Sequence, residues 1–113
     1  MTPTANQLLL AHTALDRTED ELLTDLGIAL AGGPELTRDG NLDDFRARAR
    51  YWLTRNMTAI KQRICGNPQL DSLLDEATEV AAIADLLTGI ADGPQGFTVA
   101  ALLLKRGLTT LCL

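Results

Sequence analysis

The chain has 113 residues, is 46% hydrophobic and 22% charged, and carries a formal net charge of −5. A length of this order suits one domain that buries about two-thirds of the surface its unfolded chain exposes, so residues 1–113 read as a single helical domain with no need of a covalent staple. The acidic balance disfavours nucleic acid and anionic lipid, because both reward a basic surface.

The aromatics are only Phe45, Tyr51, Trp52 and Phe97, so the core must be aliphatic. Leu and Ala favour helices, and the β-branched and aromatic residues that favour strands are sparse. The first predicted helix follows Pro3. Thr4 and Gln7 form a capping-box pattern, and Leu8, Ala11, His12 and Leu15 fall on or beside one face. A second capping box, Thr18 with Glu21, opens a helix whose first turn holds Glu19, Asp20 and Glu21, where the helix dipole favours acids. Its stripe is Leu22, Leu26, Ala29 and Leu30, and Gly32-Gly33-Pro34 stops it.

Asn41 is the expected cap of a long third helix with apolar positions Leu42, Phe45, Ala49, Trp52, Leu53, Met57, Ile60 and Ile64. It runs to Gly66-Asn67-Pro68, about 24 residues or roughly 36 Å at 1.5 Å per residue. Asn67 and Pro68 then open a fourth helix expected to continue to Asp92-Gly93-Pro94, along Leu70, Leu73, Leu74, Ala77, Val80, Ala81, Ala84, Leu87 and Ala91. Thr98 is the expected cap of a last helix, apolar on nearly every face from Val99 to Leu104 and again at Leu108, Leu111 and Leu113. The apolar run from Phe97 is stopped by Lys105-Arg106, far short of the roughly 20 residues that cross a bilayer, so no membrane span is expected.

Chemistry-bearing motifs are thin. Residues 35–46 have the outline of an EF-hand loop, with Gly40 at the sixth place, but Thr37 stands at the third place and Arg46 at the twelfth, where calcium needs oxygen ligands. His12 is the only histidine and has no Ser, Cys or carboxylate beside it in sequence to form a working pair, so it reads as a packed residue. Cys65 and Cys112 form neither a close pair nor a metal-ligand spacing, and are expected to be reduced thiols. The N-terminal residues lack a basic region followed by an apolar run, so a cytoplasmic location is expected. No cofactor, metal or catalytic centre is assigned.

Two charged surfaces and one apolar one remain. Asp71, Asp75 and Glu79 fall at four-residue spacing on one ridge of the fourth helix, and no Lys or Arg occurs between Pro68 and Asp92. The third helix carries Arg46, Arg48, Arg50, Arg55, Lys61 and Arg63 against Asp43 and Asp44. Its basic flank is expected to lie beside the acidic ridge, since short loops make consecutive helices neighbours. A free face on the last helix, at Leu103 and Leu108, would be a docking or self-association surface.

The expected fold is all-α, a compact bundle of about five helices. On helix count and size alone, up-down and death-domain-like orthogonal packings both satisfy the pattern. The expected function is protein–protein interaction by a non-enzymatic adaptor or self-association module, its partner a second protein or another copy of the chain. The candidate contact residues are Arg46, Arg50, Arg55, Asp71, Asp75, Glu79, Leu103 and Leu108. The competing expectation is a small regulatory or nucleic-acid-associated protein using the basic third helix.

Overall fold

In the computed structural model, which describes residues 3–32, 42–71 and 75–112, local capping chemistry starts the first two helices. The Thr4 hydroxyl accepts from the Gln7 amide at 3.1 Å, the Gln7 side chain accepts from the Thr4 amide at 2.8 Å, and α1 runs over Ala5–Leu15. Thr18 and Glu21 repeat this reciprocal pair at the start of α2, Glu19–Leu30. Arg17 clips the corner between them with a two-pronged bond to Asp25 at 2.9 and 3.0 Å and an ion pair to Glu21 at 3.2 Å.

Next comes α3, Leu42–Ile64, buried at Phe45, Ala49, Leu53, Ile60 and Ile64. The expected Asn41 cap and most of the EF-hand-like segment lie outside the described residues. The α2 and α3 backbones meet at Gly27, where a Cβ would stand 2.0 Å from the Phe45 carbonyl oxygen, so only glycine allows this approach. Thr24 sits beside that contact and is the buried polar residue among those described. Its hydroxyl donates to the Asp20 carbonyl at 2.8 Å and accepts from Arg46 Nε at 3.0 Å, which leaves no polar atom stranded in the interface.

The expected fourth helix is broken. A single turn, α4 (Pro68–Asp71), is followed by α5 (Glu76–Leu86). Asp75 is extended, and its carboxylate accepts from the Thr78 amide at 3.3 Å and the Thr78 hydroxyl at 3.0 Å, so a new helix starts there rather than an old one continuing. The helix also stops earlier than expected. The chain turns at Gly89, whose amide donates to Asp92 at 2.8 Å, and Arg63 of α3 reaches across to the α5 end, donating to the carbonyls of Leu86 and Thr88.

The last helix, α6 (Pro94–Arg106), begins four residues before the expected Thr98 cap, with Pro94 at its first position and Gly93 as cap at φ 61°. Thr98 lies inside it, its hydroxyl donating to the Pro94 carbonyl at 3.2 Å. Gly107 ends α6, and one further turn, α7 (Leu108–Leu111), follows.

These pieces form an all-α bundle of five full helices and two single turns among the described residues, with no strand among them. α6 lies at its centre, packed against α1, α2 and α5, and α3 packs chiefly on α2. Val99, Ala100, Ala101, Leu102 and Leu103 of α6 are at most 1% exposed and join one aliphatic cluster with Leu22, Leu26, Ile60, Val80, Ile83 and Leu87. Arg106 at the end of α6 closes onto Glu19 at the start of α2, 2.7 Å away, a pairing favoured by both helix dipoles. Among the described residues no helix is long and apolar enough to cross a membrane.

The cysteines correct an expectation. Cys65, just past α3, and Cys112, just past α7, are joined by a disulfide across 47 positions of sequence, with Cα atoms 5.6 Å apart. Spacing along the chain could not reveal this, because packing brings the end of α3 to the end of α7. The thiols therefore no longer argue for a reducing compartment.

Candidate functional site

The surface residues the structure leaves available differ from those expected. Leu103 is 1% exposed and Leu108 half-buried, both packed against the central cluster, so the last helix offers no free docking face there. The reason is position: the most apolar helix is also the one surrounded by three others. Asp71, Asp75 and Glu79 do not belong to one helix: α4 ends at Asp71, Asp75 is spent capping α5, and Glu79 lies within α5. Glu79 is half-buried, and its carboxyl is pushed above the usual range by that burial and by the neighbouring Glu76. No ion pair joins α3 to α5 among the described residues; the basic helix meets the carbonyl end of α5 through Arg63 instead.

Arg46 is also committed. It is held between Thr24 and Asp43, with its Nη1 3.1 Å from the Asp43 carboxylate, and it locks α3 to α2 rather than facing a partner. Arg50 is exposed but lies off the face described below. His12 is exposed rather than packed, because α1 buries Ala11 and Ala14 and turns His12 outward. No three His, Cys, Asp or Glu side chains gather into a metal site among the described residues.

What the structure does assemble is a stripe on α3. Arg48, Tyr51, Trp52, Arg55 and Asn56, together with Leu30 at the end of α2, line a surface cleft of about 330 Å³. The spacing of i, i+3, i+4, i+7 and i+8 puts the five α3 residues on one helical face. Each has a distinct setting. Trp52 is half-buried, packing against the central cluster while its remaining surface floors the cleft. Tyr51 is 64% exposed, one of the most exposed large apolar side chains described. The Arg55 guanidinium lies 5.6 Å from the Tyr51 ring centre, within cation–π range, which restrains both side chains. Asn56 spends its amide on the Trp52 carbonyl at 2.8 Å and so fixes one wall.

Arg48 and Arg55 have no carboxylate partner among the described residues, in a chain where acids outnumber bases by 15 to 10. Two guanidiniums one heptad apart, with aromatic surface between them, can receive carboxylates or phosphates while the cleft takes an apolar group. The signal was present in the sequence as Arg48, Tyr51, Trp52 and Arg55. It was obscured because Trp52 also belongs to the core-facing stripe, and because the six cations of the helix, taken together, spread around it.

No protein-family model, no curated protein and no solved structure matches the chain. The class defined by the fold is the small all-α bundle.

Proposed function

We propose that this protein is an interaction module that docks an acidic segment of a partner protein onto the Arg48–Tyr51–Trp52–Arg55 face of α3, and that it acts by binding rather than by catalysis. The observation that carries this reading is a pair of arginines with no carboxylate partner among the described residues, set beside exposed aromatic surface. Arginine and aromatics are enriched in protein interfaces, because aromatics bury large areas with few rotatable bonds and arginine makes forked or stacked contacts. Arg48 and Arg55 lie about 10.5 Å apart along the helix axis at 1.5 Å per residue, a span matched by two carboxylates one heptad apart on a helical peptide.

The net charge of −5 weighs against a polyanion more than against a short acidic segment. A nucleic acid accumulates repulsion along its length, whereas a segment seated in one cleft feels chiefly the charges within a Debye length of about 8 Å at physiological salt.

Trp52 is the single tryptophan, so its fluorescence reports on the cleft directly. Titration with a Glu- and Leu-rich helical peptide should change that fluorescence, with an affinity that weakens as salt is raised. Arg48→Glu and Arg55→Glu should each weaken binding by about tenfold or more, the value of a charge-assisted contact of roughly 1.5–3 kcal/mol. Absence of any response to acidic peptides would overturn the reading. Tighter binding of a single-stranded oligonucleotide, with a steep salt dependence lost in both variants, would replace it with the nucleic-acid role. Light scattering over a hundredfold concentration range should give the monomer mass; a concentration-dependent dimer abolished by Arg48→Glu would make the occupant a second copy.

A further inference from the structure

The Cys65–Cys112 bridge lies beyond the α3 cleft and is independent of the proposed docking role. We propose that it is a thiol-exchange site, with Cys112 the sulfur attacked, and that opening it releases residues 107–112 from the bundle. Exposure is the first support. Cys112 is exposed and Cys65 half-buried, and neither belongs to the buried cluster, so an external thiolate reaches Cys112 without the core opening.

The weakness of the segment it holds is the second support. α7 has four residues, too few for a helix to persist without outside help. Its ladder consists of the Leu111 amide donating to the Gly107 carbonyl at 3.1 Å and the Cys112 amide donating to Leu108 at 3.0 Å. Leu108 and Leu111 are half-buried at the edge of the cluster and add limited apolar grip.

Topology is the third. Gly107, at φ 92°, separates α7 from α6 and forms a hinge that L side chains seldom allow. Beyond that hinge the covalent tie to Cys65 joins the segment to the end of α3, alongside the partial packing of Leu108 and Leu111 on the cluster.

In the exchange, the thiolate of a small external thiol attacks Sγ of Cys112 and forms a new S–S bond. The Cys65–Cys112 bond breaks, and its electron pair leaves on Cys65 Sγ, which takes up a proton from water. A second external thiolate attacks the outer sulfur of the mixed disulfide and expels Cys112 as a thiolate. The protein disulfide is thereby reduced to two thiols while two external thiols are oxidised to their own disulfide. With the tie gone, Leu108 and Leu111 leave the cluster edge and open apolar surface beside Leu104.

The test compares hydrogen exchange of the full chain in oxidising buffer and in excess reductant. The amides of Leu111 and Cys112 should exchange at least tenfold faster once reduced, while those of Leu102 and Leu103 keep their protection. The Cys65→Ser/Cys112→Ser double variant should show the same fast exchange without reductant. Brief treatment with reduced glutathione followed by peptide mapping should place the mixed disulfide on Cys112. Unchanged protection at Leu111 and Cys112, an adduct on Cys65, or loss of protection throughout α6 would each overturn the proposal.

Discussion

α6 and α3 put apolar side chains to opposite uses. α6 carries an uncharged run from Phe97 to Leu104 and buries all of it but part of Thr98 and Leu104, contacting α1, α2 and α5. α3 is longer and far more polar, buries one stripe, and leaves Tyr51 and part of Trp52 between arginines on a face that no other described helix covers. Density of hydrophobic residues therefore marks where the chain is enclosed. The surface with chemistry to offer is the one where cations interrupt aromatics at helical spacing.

The sharpest way to break this comparison is to charge the enclosed helix. Leu103→Asp would place a carboxylate at a site 1% exposed within the aliphatic cluster, and should cost more than about 4 kcal/mol, leaving the chain largely unfolded by circular dichroism. Had Leu103 been a docking residue, the variant would fold normally and lose only binding.

The contact that sets α3 against α2 comes next. Gly27→Ala drives a methyl group into the Phe45 carbonyl, and since backbone cannot yield as a flexible side chain can, a loss of about 2–3 kcal/mol in urea unfolding is expected. The same variant should weaken peptide binding, because Leu30 and the α3 stripe share one cleft only in the native crossing.

Local terms are smaller. Thr18→Ala removes the α2 cap and should cost about 1 kcal/mol by the same unfolding measurement. Its partner Glu21 has a carboxyl held below the usual range, first by the Thr18 amide, then by the Thr18 hydroxyl and by Arg17. A carboxyl depressed in the folded state contributes stability that is present above its unfolded pKa and lost as pH falls through the folded value. The stability difference between wild type and Glu21→Gln should accordingly shrink on acidification below the ordinary Glu range, as read by thermal unfolding at a series of pH values. The smallest stability effect is expected at the cleft itself. Arg48→Glu and Arg55→Glu should change unfolding free energy by no more than about 0.5 kcal/mol while weakening the acidic peptide, which separates a recognition surface from a structural one.

Legibility followed the range of the interaction. The capping boxes at Thr4 and Thr18 were readable because donor and acceptor stand three residues apart. The start of α5 was equally local, with Asp75 followed by Glu76 and Glu79 in the first turn, but the unbroken apolar stripe from Leu70 to Ala91 masked it. Arg46 and Arg48 are chemically identical in the sequence, yet one locks two helices and the other lines a cleft. Only the α2–α3 crossing distinguishes them.

The sequence by itself determined an all-helical chain, an aliphatic core, the first two helix starts and the long α3. Each follows from composition or from interactions within about one helical turn. Tertiary structure alone decided that α6 is central, that Arg63 caps α5, that Cys65 meets Cys112 and that Arg48 and Arg55 face outward around Tyr51 and Trp52. Those outcomes join or separate residues far apart in the chain, up to 87 positions for Arg106 and Glu19, and rest on how helices cross rather than on what any one helix contains.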